Sequence, residues 1–118
     1  SNFRLIRALD PLLKTEKSQG KAIVISSGVA NNPRAYWGAY AISKAALENM
    51  TKIWALENIK TNLKINIINP GATRTKMRAS AIPGEDPETI PSAKLVASKI
   101  LSYIDNKNLN HGELIKIK

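Results

Sequence analysis

Apolar residues recur at three- and four-residue steps at the start of the chain. Phe3, Ile6, Leu9 and Leu13 share one side of an amphipathic helix expected over 2–14. Pro11 lacks a backbone donor, so a kink or an end is expected there. Thr15 to Lys21 is polar, contains Gly20 and reads as a loop. The pattern then changes to Ala22-Ile23-Val24-Ile25, a continuous run rich in β-branched residues, which predicts a buried parallel strand over 21–26. Gly28 to Trp37 is a loop with a turn signal at Asn31-Asn32-Pro33. A long Ala-rich helix follows over 38–59, and Leu63 to Ile68 forms the next apolar strand. Pro70, Pro83, Pro87 and Pro91 mark a loop-rich segment over 70–91, with a helical turn near 75–81. Ser92 caps a helix over 92–105 whose apolar face carries Leu95, Val96, Ile100 and Ile104. A last short strand covers 113–117. Strand, helix and strand at this spacing make a right-handed βαβ unit. The order predicts an α/β chain of three parallel strands with flanking helices.

Within that frame the central helix carries a chemical device. Tyr40 and Lys44 stand at i and i+4 on one helix face, so phenol and ammonium can approach each other. A phenol ordinarily titrates near ~10, and a fixed cation within a few Å favours its charged form. Upstream, the strand ends in Ser26-Ser27-Gly28, and Ser27 lies thirteen residues before Tyr40. In open parallel sheets ligands bind outside the carboxyl ends of the strands, where that hydroxyl and the start of the next helix would meet. Tyr36 is followed at i+4 by Tyr40, not by a lysine, so Tyr40 is the better candidate. The loop aromatics Tyr36 and Trp37 fit a pocket lining or core packing equally well.

Ser27, Tyr40 and Lys44, with the Ala-Ile-Ser-Lys run, resemble the catalytic set of the short-chain dehydrogenase/reductase family. Asn69-Pro70-Gly71-Ala72-Thr73-Arg74-Thr75, directly after an apolar strand, is similar to that family's Pro-Gly motif. The resemblance covers nearly the whole chain and implies the C-terminal half of a doubly wound, Rossmann-like sheet. It implies hydride transfer between NAD or NADP and a small carbonyl compound or secondary alcohol. Tyr40 would exchange the proton, Ser27 would hold the reacting oxygen, and Lys44 would favour the phenolate and bond the nicotinamide ribose. Backbone at Pro70, Gly71 and Ala72 and the hydroxyl of Thr75, with Thr73 as a weaker choice, would hold the nicotinamide carboxamide. The segment from 75 to 91 would close over substrate, with Met77 and Ile82 as apolar contacts.

The same resemblance shows what these residues lack. Glycines stand at 20, 28, 38, 71, 84 and 112, and no Gly-x-x-x-Gly-x-Gly precedes a strand. The phosphate-binding turn and the residue that selects NAD or NADP are therefore not among them, and one sheet edge is expected to lie open. A truncated product and an oligomer that covers the edge remain alternatives. Met50, Ile53, Trp54 and Leu56 extend the central helix's apolar surface beyond one stripe. The resemblance implies a partner subunit on this helix, so Leu47, Met50 and Trp54 are expected partly against another chain in a dimer or tetramer. A catalytically silent packing or dimerisation module is the alternative function.

Composition narrows these readings slightly. Hydrophobic residues make up 43% of the 118, enough for a packed core. Without cysteine and with one histidine, no thiolate or His-rich metal site is proposed. No apolar run reaches the about 20 residues of a membrane helix, and no signal peptide opens the chain, so a cytoplasmic location is expected. The formal charge of +9 raises nucleic acid as a partner, but the basic residues are scattered and not interleaved with aromatics. No nucleic-acid or membrane partner is expected.

Overall fold

The computed structural model describes all residues except Glu16, Ser18, Asn106 and Lys118. Three strands form one parallel sheet in the order β1-β2-β3: β1 Lys21–Ile25, β2 Lys64–Asn69 and β3 Leu114–Lys116. The register pairs Ile25 with Ile68 and Ile67 with Leu114. Among the described residues four α-helices flank it: α1 Asn2–Leu13, α2 Gly38–Glu57, α3 Lys76–Ala81 and α4 Ala93–Leu101. The expected α/β architecture with three parallel strands is present. Pro11 lies inside α1, and the helix continues through it to Leu13.

β2 is central because it is apolar on both faces. Ile65, Ile67 and Ile68 are fully buried, and by strand alternation they cover both sides of the sheet. Each such burial contributes about 1.5–3 kcal/mol. Ile65 and Leu63 pack with Trp54 and Ala55 of α2, and Ile6, Leu13 and Ala22 close this cluster. Gly20 lets α1 and β1 meet, since a Cβ there would lie 2.1 Å from the Leu13 carbonyl oxygen. Asn66 Nδ2 donates to the Asn110 carbonyl, and Asn66 Oδ1 accepts from Glu113 N, which brings the last strand in. His111 has a structural place: Nδ1 accepts from Ile65 N, and Nε2 lies 2.8 Å from the Ala55 carbonyl oxygen.

The covering of α2 differs from expectation. Leu47 and Trp54, expected against another chain, are buried by this chain's own core, and Met50 is half-buried. Helical periodicity revealed a surplus of apolar surface but not which neighbour covers each residue. Ile42, Ile53 and Leu56 are the large hydrophobic residues of α2 left exposed. On α1, Ile6 and Leu13 reach the core whereas Phe3 and Leu9 stay largely exposed. The radius of gyration, 15.5 Å, exceeds the about 13.5 Å of a compact domain this long.

Asp10 ties α1 to α2. Its carboxylate accepts from Trp54 Nε1 at 2.7 Å and pairs with Lys14 at 2.7 Å. Burial works to raise its pKa, but hydrogen bonds from Lys14 and Trp54 and the Lys14 charge together hold it below its ordinary 3.8. Asp10→Ala is expected to cost about 1–3 kcal/mol, because the indole N–H loses its acceptor. Urea unfolding should show a lower midpoint with an unchanged slope. A carboxyl group with a depressed folded pKa contributes stability above its unfolded pKa and loses it as pH falls through the folded value. The gap between wild type and Asp10→Ala should therefore be full at neutral pH and close only below the ordinary carboxylate range. A gap independent of pH would refute the charged role.

Candidate active site

The carboxyl ends of β1 and β2 open into a cavity of about 410 Å³. Ser27, Tyr40 and Lys44 all line it, together with Pro70, Gly71, Thr73 and Thr75. Ser27 leaves β1 in extended conformation, as the cap of a 3₁₀ turn Gly28–Ala30, and its side chain makes no capping bond. Tyr40 and Lys44 lie one turn apart near the start of α2, and the Lys44 ammonium sits 5.7 Å from the Tyr40 ring centroid. That ammonium donates to the Ile25 carbonyl at 3.1 Å, which fixes it at the end of β1. Trp37 meets Tyr40 edge to face at 5.9 Å and completes the aromatic wall. Tyr36 lines no cavity; it is fully exposed, with φ of 68°.

The Pro-Gly turn leads from β2 into the same cavity. Gly71 has φ of +70°, a left-handed conformation that a side chain resists. Its N–H already donates to Asn69 Oδ1 at 3.0 Å, and Pro70 has no N–H to give. Ala72 N–H therefore remains as this turn's open backbone donor among the described residues, and Ala72 lines an adjoining cavity of about 230 Å³. Thr75 Oγ1 caps α3 by accepting from Arg78 N, which leaves its own proton to donate. Thr73 Oγ1 is buried with no hydrogen-bond partner among the described residues. Met77 lines the main cavity, whereas Ile82 borders a smaller one below α3.

Several site residues escaped the sequence reading. Glu48, one turn beyond Lys44, is buried and accepts from Ser26 Oγ at 2.6 Å and Asn31 Nδ2 at 2.9 Å. It clamps the β1 end and the following loop onto α2. An acid at i+4 from Lys44 in an otherwise apolar stretch was the available signal. Val96 and Ile100 of α4 close the far wall, and Arg78 of α3 borders both cavities.

A hydroxyl, a phenol and an ammonium at one cavity mouth suit a carbonyl oxygen and a sugar diol. The open Ala72 N–H and the unpartnered Thr73 hydroxyl suit an amide beside them. These residues fit a nicotinamide nucleoside. Among the described residues there is no His, Asp or Glu cluster able to hold a metal ion. Nor is any helix long and apolar enough to cross a membrane.

A parallel sheet with polar residues gathered at its strand ends defines an α/β domain of the Rossmann-like type. A family model described as short chain dehydrogenase matches residues 1–86, and the chain belongs to that family. It is similar to the uncharacterized oxidoreductase YciK of Escherichia coli, 47% identical over 90 residues, which are 76% of this chain and 35% of that protein. It also resembles the vibriobactin-specific 2,3-dihydro-2,3-dihydroxybenzoate dehydrogenase of Vibrio cholerae, 40% identical over 62 residues, 52% of this chain and 24% of the relative. A short chain dehydrogenase of Shigella flexneri, solved in complex with NADP, superimposes with a TM-score of 0.84 at 39% identity. That match covers 98% of this chain and 48% of the Shigella chain. The chain thus spans about half the length of that solved relative and a smaller share of the other two.

Proposed function

We propose that these residues correspond to the C-terminal half of a short-chain dehydrogenase domain and carry its proton-transfer machinery. The reaction is the interconversion of a small carbonyl compound and its secondary alcohol. A nicotinamide cofactor, NAD or NADP, supplies or accepts the hydride when bound. The observation that carries the reading is the convergence of Ser27, Tyr40 and Lys44 on one cavity, with Lys44 fixed on the Ile25 carbonyl.

In the reducing direction Ser27 Oγ donates a hydrogen bond to the carbonyl oxygen and aligns it. Tyr40 Oη gives its proton to that oxygen as charge develops there, and the Lys44 ammonium stabilises the phenolate left behind. Lys44 also has protons to donate to the ribose hydroxyls, while Ala72 N–H and the Thr73 and Thr75 hydroxyls would hold the carboxamide. Glu48 keeps the Ser27 turn in register with α2. Met77 and Trp37 give apolar contact to the substrate. Exposed Ile42, Ile53 and Leu56 support self-association through α2. A clean monomer in sedimentation at micromolar concentration removes that part of the reading.

The test is a hybrid in which these 118 residues replace the matching part of the Shigella protein, which supplies the NADP-binding remainder. The hybrid is expected to consume NADPH or NADH on addition of a carbonyl panel and to release alcohol in equal amount. Retained nucleotide binding with no turnover on any carbonyl would sink the proposal.

A further inference from the structure

Three arginines surround the candidate site, and they are held differently. Arg74 is engaged away from both cavities: it pairs with Glu88 at 2.9 Å, and its Nε and Nη2 donate to the Ile90 carbonyl. Arg34 is exposed and borders only the smaller cavity. Arg78 borders both cavities, and its side chain as a whole is half-buried, at 26% exposure. Glu85 grips it with two oxygens, from Nε at 2.8 Å and from Nη2 at 2.9 Å. Nη1 keeps both of its N–H groups without a protein partner among the described residues.

The charged side chains that line the two cavities are all basic. Lys44 and Arg78 line the main cavity, Arg34 and Arg78 the smaller one, and no Asp or Glu lines either among the described residues. Glu85 borders a separate small cavity beneath α3, so its charge serves to orient Arg78 rather than to fill the site. The buried, unpartnered Thr73 hydroxyl lines the main cavity with Arg78.

We infer that Arg78, oriented by Glu85, is the specificity-determining residue of this site and selects carbonyl substrates that carry a carboxylate. This inference rests on the dehydrogenase reading and adds the substrate class to it. A guanidinium offers parallel N–H groups that match a carboxylate; Glu85 takes the Nε–Nη2 edge, and no acid lining either cavity among the described residues competes for Nη1. The carboxylate lies on the free Nη1 side of Arg78. The carbonyl of the same molecule turns toward Ser27 and Tyr40. Arg78 acts here as a binding group, and the proton chemistry stays with Tyr40.

Phenylglyoxylate and its methyl ester form the probe pair, since they share ring and ketone and differ in charge. The ¹⁵N-labelled chain is titrated with each at low salt, following the amides of Gly71 and Thr73 and the Trp37 indole. Phenylglyoxylate is expected to bind about tenfold or more tightly than the ester, and Arg78→Met should bring the two within about twofold. Equal affinity in the wild type, or a preference that survives Arg78→Met, overturns the inference. Should Arg78→Met lose its dispersed spectrum, Arg78→Lys decides. It keeps the charge but not the fork and is expected to lose most of the preference; an unchanged preference counts against the inference.

In the Shigella hybrid, Arg78→Met should raise KM for phenylglyoxylate about tenfold and leave KM for the ester and the nucleotide unchanged. The two readings fail separately. Turnover of both ketones with KM indifferent to Arg78 removes the carboxylate selectivity and leaves the dehydrogenase. A carboxylate preference in the titration of a chain whose hybrid turns over no carbonyl leaves Arg78 as an anion site and removes the dehydrogenase. Perturbation of the Arg78 surroundings by inorganic phosphate as strongly as by phenylglyoxylate would assign it to a phosphate and overturn the inference.

Discussion

Tyr40→Phe in the hybrid enzyme is expected to lower kcat by about 10²-fold or more, the usual consequence of losing a general acid. The substitution removes one oxygen and keeps the ring, so the edge-to-face contact with Trp37 at 5.9 Å should survive. Lys44 would still donate to the Ile25 carbonyl, so the floor of the cavity should hold its shape. Nucleotide affinity should change little while turnover collapses. Loss confined to kcat identifies a group used in the transition state rather than in binding. A variant with near-normal turnover would mean that another donor protonates the oxygen, and Ser27 would then be the remaining candidate within the set.

The second large effect concerns the 118 residues by themselves. On the proposed reading they carry donors for the nicotinamide end of a dinucleotide, but they include no glycine-rich turn to receive its pyrophosphate. Losing even ~4 kcal/mol of binding weakens affinity roughly a thousandfold. The chain alone is therefore expected to show no calorimetric binding of NAD⁺, NADH, NADP⁺ or NADPH at millimolar concentration, and to reduce no carbonyl. Micromolar binding of any of the four would reveal a phosphate site in these residues that neither motif nor geometry discloses.

The legible parts of the molecule were those encoded locally. The strand ending in Ser26-Ser27 and the Tyr40–Lys44 step each depend on residues near in sequence, and one βαβ unit carries them to the same sheet edge. Ser92 as a helix cap was legible for the same reason, and its hydroxyl does accept from Leu95 N. What stayed hidden depends on contacts between distant segments. Arg78 and Glu85 look like ordinary surface charges in the sequence, and only the fold of 74–90 places the guanidinium between two cavities. Glu48 reads as a solvated residue on a helix until the loop carrying Asn31 closes over it. Trp54 was assigned to a partner because an apolar surplus on a helix does not reveal that Asp10 of α1 will meet its indole.

The central claim is that this site exchanges a proton through Tyr40 while hydride passes between nicotinamide and a carbonyl carbon. It is tested most directly with NADPH and NADH carrying deuterium at C4, the two stereoisomers used separately, in the hybrid enzyme. The account predicts that one stereoisomer of each active cofactor delivers a single deuterium to the carbinol carbon. The hydroxyl hydrogen should come from solvent, and the transfer should fall about 10²-fold in Tyr40→Phe. Alcohol that forms with hydrogen from solvent at the carbinol carbon, or deuterium transfer indifferent to Tyr40, would contradict it.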